Sequence, residues 1–221
     1  MKMVILTAGL GTRMHAVTGG RSKSLVDLGG ETVLDRLLVL ASDLGLEPII
    51  VTRPDYVADF RDVPAEVLVE ERPVGMLTTL YQTRDILEAL QEPFVWVGGD
   101  VVFTEHEPLR ELVEAHDPEG FASYPFCRTD RFKAKVRFEP ELEFALTRKG
   151  EWSFSLPVFG IQSPRVFSYM EQDPEADFVT PALAAGEIIT FREYLPKVFE
   201  IDTPLDLAEA RDYFSRCSSI S

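Results

Sequence analysis

The 221-residue sequence has few of the residues that build disulfide frameworks or zinc centres, with only two cysteines and three histidines. Cys127 and Cys217 lie far apart and form no C-x-x-C pair, so neither a disulfide framework nor a structural zinc site is expected. This cysteine usage fits a reducing compartment, and we expect a cytoplasmic protein. Long apolar runs are also missing, since no window approaches about 18 uninterrupted apolar residues. The sequence therefore predicts neither a membrane segment nor a signal peptide.

Positive charge is scarce as well. The chain has 22 Lys and Arg residues against 37 Asp and Glu residues, a formal net charge of -15. Such a surplus repels a nucleic-acid backbone or an anionic membrane at long range, so we expect no nucleic-acid and no membrane partner. The apolar fraction of 45% and the mean hydropathy of -0.01 predict a single soluble globular domain over residues 1–221.

Predicted strands and helices alternate through the first half of the chain. The apolar runs predict strands over residues 3–6, 47–51, 66–70 and 94–97, and the helical spacing predicts helices over 32–44 and 78–90. Near-continuous apolar strands that alternate with helices are typical of a parallel sheet covered on both faces. The sequence therefore predicts an α/β fold with a mostly parallel sheet.

The pattern changes over residues 121–162, where strand-like segments follow one another without long helices. We predict that part of this stretch forms a smaller antiparallel lobe on the acceptor side of the same domain. Helical signals return near 164–171 and 178–185. The last helix is predicted to begin at Thr203-Pro204, with Asp206 completing a capping box.

The densest chemistry lies in LTAGLGTRM, residues 6–14, followed by Lys23. The segment is not a P-loop, because no Lys-Ser/Thr follows the glycines, and Met14 occupies the position of the third Rossmann glycine. Glycines after a strand let backbone N–H groups approach an anion, and Arg13 and Lys23 add two cations. The segment favours phosphate binding, but a tight turn with solvated basic side chains would give the same pattern.

Four motifs in order resemble the sugar-phosphate nucleotidylyltransferases. They are LTAGLGTRM with SKSLVDLGGETVLDR downstream, Glu71-Arg72-Pro73-Val74-Gly75, Gly99-Asp100, and Ile201-Asp202-Thr203-Pro204 with Asp206-Leu207. The resemblance covers most of the chain and implies a Rossmann-like α/β fold with a smaller mixed lobe. It also implies an enzyme that condenses an NTP with a sugar-1-phosphate to give an NDP-sugar and pyrophosphate. Ser22, Gly98 and Met76 depart from the family, where proline, asparagine and threonine are more usual.

The resemblance also implies roles for individual residues. Arg13 and Lys23 would be the catalytic residues, Arg13 on the outer phosphates and Lys23 near the α-phosphate. Asp100 and Asp202 would bind Mg²⁺, although a turn aspartate and a helix-start charge are the simpler interpretations of these two. The implied nucleotide-binding positions are Leu6, Ala8, Gly9, Gly11, Thr12, Arg13, Gly75, Thr78 and Asp100. The sugar-binding motifs of the family cannot be matched residue by residue; Lys149, which precedes a predicted strand, and Gly160, which ends it, are acceptor-binding candidates from their position alone.

Two of these positions have equally good structural interpretations: Thr78 as a helix N-cap, and Lys149 in a solvated hairpin turn. The implied reaction needs no general base, because the attacking phosphate oxygen is already ionised near neutral pH, with a second pKa of about 6. His15, His106 and His116 are therefore expected at loop or surface positions rather than in catalysis.

The sequence leaves the substrates open. The nucleotide could be UTP, CTP, GTP or dTTP, and the acceptor is expected to be a phosphorylated small molecule. A cytidylyltransferase acting on a non-sugar phosphate or phosphonate, such as phosphocholine or an inositol phosphate, is the nearest alternative. A non-catalytic nucleotide-sensing module is a second alternative, although a sensor would not need Arg13, Lys23, Asp100 and Asp202 together.

Overall fold

A computed structural model describes residues 1–72, 75–128, 134–138, 143–146, 154–170, 177–194 and 198–218. The strands in this part of the chain are β1 (Lys2–Leu6), β2 (Glu47–Thr52), β3 (Glu66–Val69), β4 (Phe94–Gly98), β5 (Val101–Phe103), β6 (Ala122–Phe126), β7 (Ala134–Arg137), β8 (Glu143–Leu146), β9 (Phe154–Leu156), β10 (Phe159–Gln162), β11 (Ile189–Glu193) and β12 (Val198–Glu200). The α-helices are α1 (His15–Thr18), α2 (Val33–Asp43), α3 (Met76–Tyr81), α4 (Arg84–Leu90), α5 (Glu107–Glu114), α6 (Val166–Met170), α7 (Val179–Ala184) and α8 (Pro204–Ser218). Short 3₁₀ helices span Thr12–Met14, Lys23–Leu25 and Pro54–Phe60.

The main sheet has seven strands among the described residues, in the order β11-β6-β10-β4-β1-β2-β3. Every pairing in it is parallel except those of β10, which runs antiparallel between β4 and β6. Two core clusters lie on opposite faces: one includes side chains of α2, α5 and α8, and the other includes side chains of α3, α4, α6 and α7. The predicted α/β fold, with a mostly parallel sheet covered on both faces, is therefore confirmed.

Residues 121–162 divide between two sheets. Strands β6 and β10 join the main sheet, whereas β7 pairs antiparallel with both β8 and β9 in a separate three-stranded sheet. Four phenylalanine rings join the two sheets, with Phe126 of β6 lying 5.1 Å from both Phe138 and Phe154, and Phe138 5.4 Å from Phe191 of β11 (centroid distances). We refer to these four residues as the aromatic cluster.

Local capping explains where several helices begin and end. The predicted Thr203 capping box is present at α8, where the Thr203 N–H donates to Asp206 Oδ2 at 2.8 Å and the Asp206 N–H donates to Thr203 Oγ1 at 3.3 Å. The predicted continuous helix over 78–90 was wrong, because α3 and α4 are separated at Gln82 and Thr83, where Thr83 Oγ1 donates to the Leu80 carbonyl at 2.6 Å. None of the described helices is both long and apolar enough to cross a bilayer.

Candidate active site

The glycine segment leaves the carboxyl end of β1 and turns sharply at Gly11. This residue has φ +57°, in the left-handed region that favours glycine, and the Met14 N–H donates back to its carbonyl at 2.8 Å. The Met14 side chain is fully buried, which anchors the turn, whereas Arg13 is 59% exposed. The turn therefore holds the Arg13 guanidinium at the surface of the sheet edge.

Lys23 approaches this turn from the next loop along the chain. Ser22 caps the 3₁₀ helix that Lys23 begins, with its Oγ accepting from the Ser24 N–H at 3.4 Å. A Cβ on Gly11 would lie only 2.9 Å from Lys23 Cγ, so Gly11 also provides the space through which the lysine stem passes. The glycine segment and Lys23, which are separate in sequence, thus meet in one place.

Asp100 reaches the same edge because Gly98, the last residue of β4, is followed by Gly99. The Gly99 N–H donates to the Leu6 carbonyl at 2.8 Å, and a Cβ on Gly99 would lie 2.6 Å from Thr7 Cγ2. A Cβ on Gly98 would lie 2.9 Å from Asp100 Oδ1. The Gly98-Gly99 pair, which departs from the usual asparagine-glycine, therefore allows the chain to pass close to β1 and leaves room for the Asp100 carboxylate.

Asp202 is brought beside Asp100 by strand pairing. Strand β12 pairs antiparallel with β5, and the Ile201 N–H then donates to the Asp100 carbonyl at 2.9 Å. Thr203 and Asp206 carry the capping interactions of α8, and the Asp202 side chain accepts from two cations instead. Asp202 is therefore more than a helix-start charge in this structure.

The four charged residues that the motifs single out form one connected cluster, which we call the charge cluster. The Lys23 ammonium donates to Asp100 Oδ2 and, at 2.9 Å, to Asp202 Oδ1, while Arg13 Nη2 lies 2.8 Å from Asp202 Oδ2. The exposed side-chain fractions are 15% for Lys23, 23% for Asp100 and 27% for Asp202. The cluster is thus partly shielded from water but accessible from the sheet edge.

The electrostatics of the cluster keep Lys23 and Asp202 charged. Burial disfavours the Lys23 ammonium, but the Asp100 and Asp202 carboxylates outweigh burial and raise the pKa of Lys23 above its usual value. Burial also disfavours the Asp202 carboxylate, yet Lys23 and Arg13 outweigh it and lower the pKa of Asp202. Both groups therefore remain ionised through the neutral range, which gives the edge fixed charges of both signs.

The remaining predicted residues lie in different settings. The Leu6 and Ala8 side chains are buried, at 8% and 1% exposure, whereas Gly9 and Thr12 lie exposed at the turn. Gly75 is the N-cap residue of α3, so the interpretation of Thr78 as the N-cap was wrong; Thr78 lies within the helix and is half-buried. Direct nucleotide contacts for these residues stay predictions.

The two acceptor positions also stay predictions. Gly160 is buried in β10, where a Cβ would lie 2.6 Å from Tyr124 Cδ1, so the packing of that ring by itself requires a glycine. Lys149 lies outside the described residues. The three histidines do not join the charge cluster by any described contact: His106 pairs with Asp43 and His116 with Ser123.

The sequence analysis missed two residues that contact the loops of the cluster. Asp59 accepts from Arg21 Nε at 3.1 Å and from the Ser22 N–H at 3.3 Å, and Tyr56 Oη donates to the Leu10 carbonyl at 3.2 Å. Both residues belong to the Pro54–Phe60 helix that follows β2. Contacts between segments more than 35 residues apart leave no local pattern in the sequence that could have revealed them.

This arrangement defines an α/β protein with a cluster of paired charges at the carboxyl edge of a mostly parallel sheet, the edge where ligands of such folds bind. Residues 3–175 match the MobA-like NTP transferase domain, and the chain belongs to this family. The match confirms the resemblance drawn from the four motifs.

Sequence relatives include mannose-1-phosphate guanylyltransferase 1 of Arabidopsis thaliana, 27% identical over 131 residues, which cover 54% of this chain and 36% of the relative. The UTP–glucose-1-phosphate uridylyltransferase AglF of Haloferax volcanii is 27% identical over 152 residues, covering 60% of this chain and 61% of the relative. The chain therefore spans little more than a third of the plant enzyme that it matches.

Solved structures show the same fold at low sequence identity. A UDP-glucose pyrophosphorylase from Acinetobacter baumannii superimposes with a TM-score of 0.82 at 13% identity, covering 96% of this chain and 92% of the other. The inositol-1-phosphate CTP transferase from T. maritima gives a TM-score of 0.77 at 19% identity, covering 97% and 94%. These similarities establish the fold that carries the charge cluster.

Proposed function

We propose that this protein is a Mg²⁺-dependent nucleotidyltransferase that condenses an NTP with a sugar-1-phosphate to give an NDP-sugar and pyrophosphate. The observation that carries the proposal is the charge cluster, in which Lys23 contacts Asp100 and Asp202, and Arg13 contacts Asp202. Membership in the NTP transferase family and the names of the sequence relatives support the same reaction class.

In the proposed reaction an oxygen of the acceptor phosphate attacks the α-phosphorus of the NTP. The bond from the α-phosphorus to the bridging oxygen breaks, and pyrophosphate leaves with that electron pair. The attacking oxygen is already ionised, so the protein has to align the two reactants and neutralise charge rather than remove a proton. Lys23 suits this task because its raised pKa keeps the ammonium charged, and the exposed Arg13 guanidinium suits the outer phosphates.

The residues present fit a magnesium site. Asp100 and Asp202 direct carboxylate oxygens to one point, where the Lys23 ammonium lies, so Mg²⁺ would take these oxygens in place of the ammonium. In the described part of the chain no group of three or more His, Cys, Asp or Glu side chains could hold a metal by itself. Mg²⁺ is usually bound through one or two carboxylates together with substrate phosphates, so a pair is enough. When bound there, Mg²⁺ would supply positive charge to the phosphate oxygens.

A substrate screen tests the proposal. The purified chain is incubated with each of UTP, CTP, GTP and dTTP and a panel of sugar-1-phosphates, phosphocholine and inositol-1-phosphate, and pyrophosphate release is measured with and without EDTA. We expect release with at least one NTP and sugar-1-phosphate pair, and its loss in EDTA. Turnover with CTP and a non-sugar phosphate alone would favour the cytidylyltransferase alternative. Nucleotide binding without any turnover would favour a sensing module.

The two carboxylates are tested together. If Asp100 and Asp202 hold one ion, Asp100→Asn and Asp202→Asn should each lose nearly as much activity as the double variant, because groups that act as a unit are not additive. Independent, multiplying losses in the double variant would contradict a shared metal. An active Asp202→Asn enzyme with only a lowered melting temperature would remove Asp202 from the site.

A further inference from the structure

The short helix Pro54–Phe60 contacts both loops that carry the cations of the charge cluster. Tyr56 Oη donates to the carbonyl of Leu10, in the glycine segment that leads to Arg13, at 3.2 Å. Asp59 accepts from Arg21 Nε at 3.1 Å and from the Ser22 N–H at 3.3 Å, immediately before Lys23. One element thus fixes points on two loops that are separate in sequence.

We propose that Asp59 and Tyr56 are positioning residues: Asp59 fixes the loop that presents Lys23, and Tyr56 fixes the glycine segment that presents Arg13. The inference rests on the proposed function, because it concerns the placement of the two cations on which that function depends. Asp59 and Tyr56 act through the backbone of the loops and not on the substrate.

The Asp59 contact satisfies a buried backbone group. Ser22 is only 2% exposed, and its N–H donates to Asp59 Oδ2, so loss of this acceptor leaves a buried donor without its partner. The Asp59 side chain is itself 19% exposed and is held by Arg21 on its other oxygen. A shift of residues 21–23 would let the Ser22 N–H reach another acceptor. Such a shift would move the Lys23 ammonium away from the two carboxylates.

The Tyr56 contact fixes a loop that is otherwise open to solvent. Leu10 is 58% exposed, whereas Tyr56 is 7% exposed and has the Arg53 guanidinium 5.6 Å from its ring centroid. A rigid, buried side chain therefore provides one fixed hydrogen bond to an exposed turn. Replacement of Tyr56 by phenylalanine removes that hydrogen bond and keeps the ring.

Asp59→Ala is the main test, with Asp55→Ala as its matched control. Asp55 lies on the same helix, is 69% exposed and, within the described part of the chain, pairs with nearby Arg53 at 2.8 Å. We measure kcat and the KM for the NTP by pyrophosphate release, the melting temperature, and amide hydrogen exchange in peptides that cover residues 19–26. Displacement of a catalytic group by a fraction of an ångström should lower kcat about tenfold in Asp59→Ala, and Tyr56→Phe should lower it about threefold. Exchange over 19–26 should rise in Asp59→Ala, and Asp55→Ala should match the wild type.

A proline at position 22 separates positioning from general stability. Ser22 has φ -58°, the value that proline imposes, and a proline needs no acceptor for an N–H. Proline also removes the Ser22 Oγ cap, so the Ser22→Pro single variant is the reference. The Asp59→Ala/Ser22→Pro double variant should have a kcat within about threefold of that single variant, because the ring restricts the loop directly. A double variant about tenfold slower than Ser22→Pro would overturn the proposal.

Failure of this inference can be told from failure of the proposed function. If the wild type turns over and Asp59→Ala equals Asp55→Ala in kcat and in exchange, the positioning role is wrong and the proposed function stands. If the wild type releases no pyrophosphate with any substrate pair, the proposed function is wrong. Amide hydrogen exchange then shows by itself whether the Asp59 contact holds the loop. Faster exchange over 19–26 in Asp59→Ala then supports the Asp59 contact, and unchanged exchange overturns it.

Discussion

The charge cluster and the aromatic cluster occupy two regions of the same fold and are built by different physics. The charge cluster joins loops at the carboxyl edge of the sheet through ion pairs between partly exposed groups, with glycines that allow close backbone approach. The aromatic cluster joins the small sheet of β7–β9 to the main sheet through Phe126, Phe138, Phe154 and Phe191. Ion pairs at accessible sites stabilise folds weakly, whereas packed aromatic rings contribute strongly to stability.

This difference predicts which substitutions should lower activity and which should lower the stability of the fold. Removing a charge from the first cluster should affect the reaction more than the fold, because the carboxylates left behind are still partly accessible to water and a bound triphosphate would replace some of their partners. Removing a ring from the second cluster should affect the fold first. The following variants test this separation, in order of decreasing expected effect.

Lys23→Ala should lower kcat/KM by about 10²–10³, because loss of one charge-stabilising donor typically costs that much. Lys2→Ala is the control, since Lys2 also forms an ion pair, with Glu47 at 2.6 Å, but lies at the start of β1. The measurement is pyrophosphate release together with thermal melting. Near-normal activity of Lys23→Ala, or an equal loss in Lys2→Ala, would contradict a role of the charge cluster in the reaction.

Phe126→Ala should lower the free energy of unfolding by about 2–3 kcal/mol, less than for a fully buried phenylalanine because Phe126 is half-buried. Phe126 contacts both Phe138 and Phe154, so its loss loosens the small sheet from the main sheet. Urea unfolding gives the change in stability. A larger loss of activity than of stability would instead connect the aromatic cluster to the reaction.

Gly99→Ala tests whether backbone packing supports the charge cluster. It should destabilise the fold by about 1–2 kcal/mol and also lower activity, because the added Cβ overpacks this site. The new Cβ would lie 2.6 Å from Thr7 Cγ2 and 3.0 Å from the Leu6 carbonyl, so β4 must move away from β1 and carry Asp100 with it. Gly9→Ala is the control for stability alone, since nothing lies within 4 Å of its added Cβ but Gly9 is itself an implied nucleotide-binding position. Equal melting temperatures for the two variants would contradict this explanation.

The smallest expected effect is on thiol labelling of Cys127, the residue that follows β6. Burial, with Glu193 nearby, raises the pKa of Cys127 to about 11, and its thiol donates to the Tyr194 carbonyl at 3.6 Å. At pH 8 only about one in a thousand Cys127 thiols would be ionised, so alkylation should be at least about tenfold slower than at the exposed Cys217. Mass spectrometry distinguishes the two sites, and in denaturant both should react alike.

Many residues of the candidate site were predictable because they lie in short sequence motifs. LTAGLGTRM places a strand, a left-handed glycine and an arginine within nine residues, and Thr203 with Asp206 specifies a helix start. The break between α3 and α4 was missed because a helical pattern continues through Gln82 and Thr83, and a side-chain hydrogen bond ends the first helix there. The sequence predicted that part of residues 121–162 forms a separate lobe, but not which strands join the main sheet, because a strand pattern does not specify its partner.

The sequence by itself determined the alternation of strands and helices and the capping box of α8, and it identified the charged residues of the cluster, since each depends on neighbours within a few positions. Tertiary structure alone decided that Asp202 lies beside Asp100, through the pairing of β5 with β12, and that Asp59 reaches Ser22. These contacts join segments separated by 37 to over 100 residues, and their geometry follows from how the whole sheet packs. The local sequence pattern identifies the charged residues, but the distances between them depend on the packing of the whole chain.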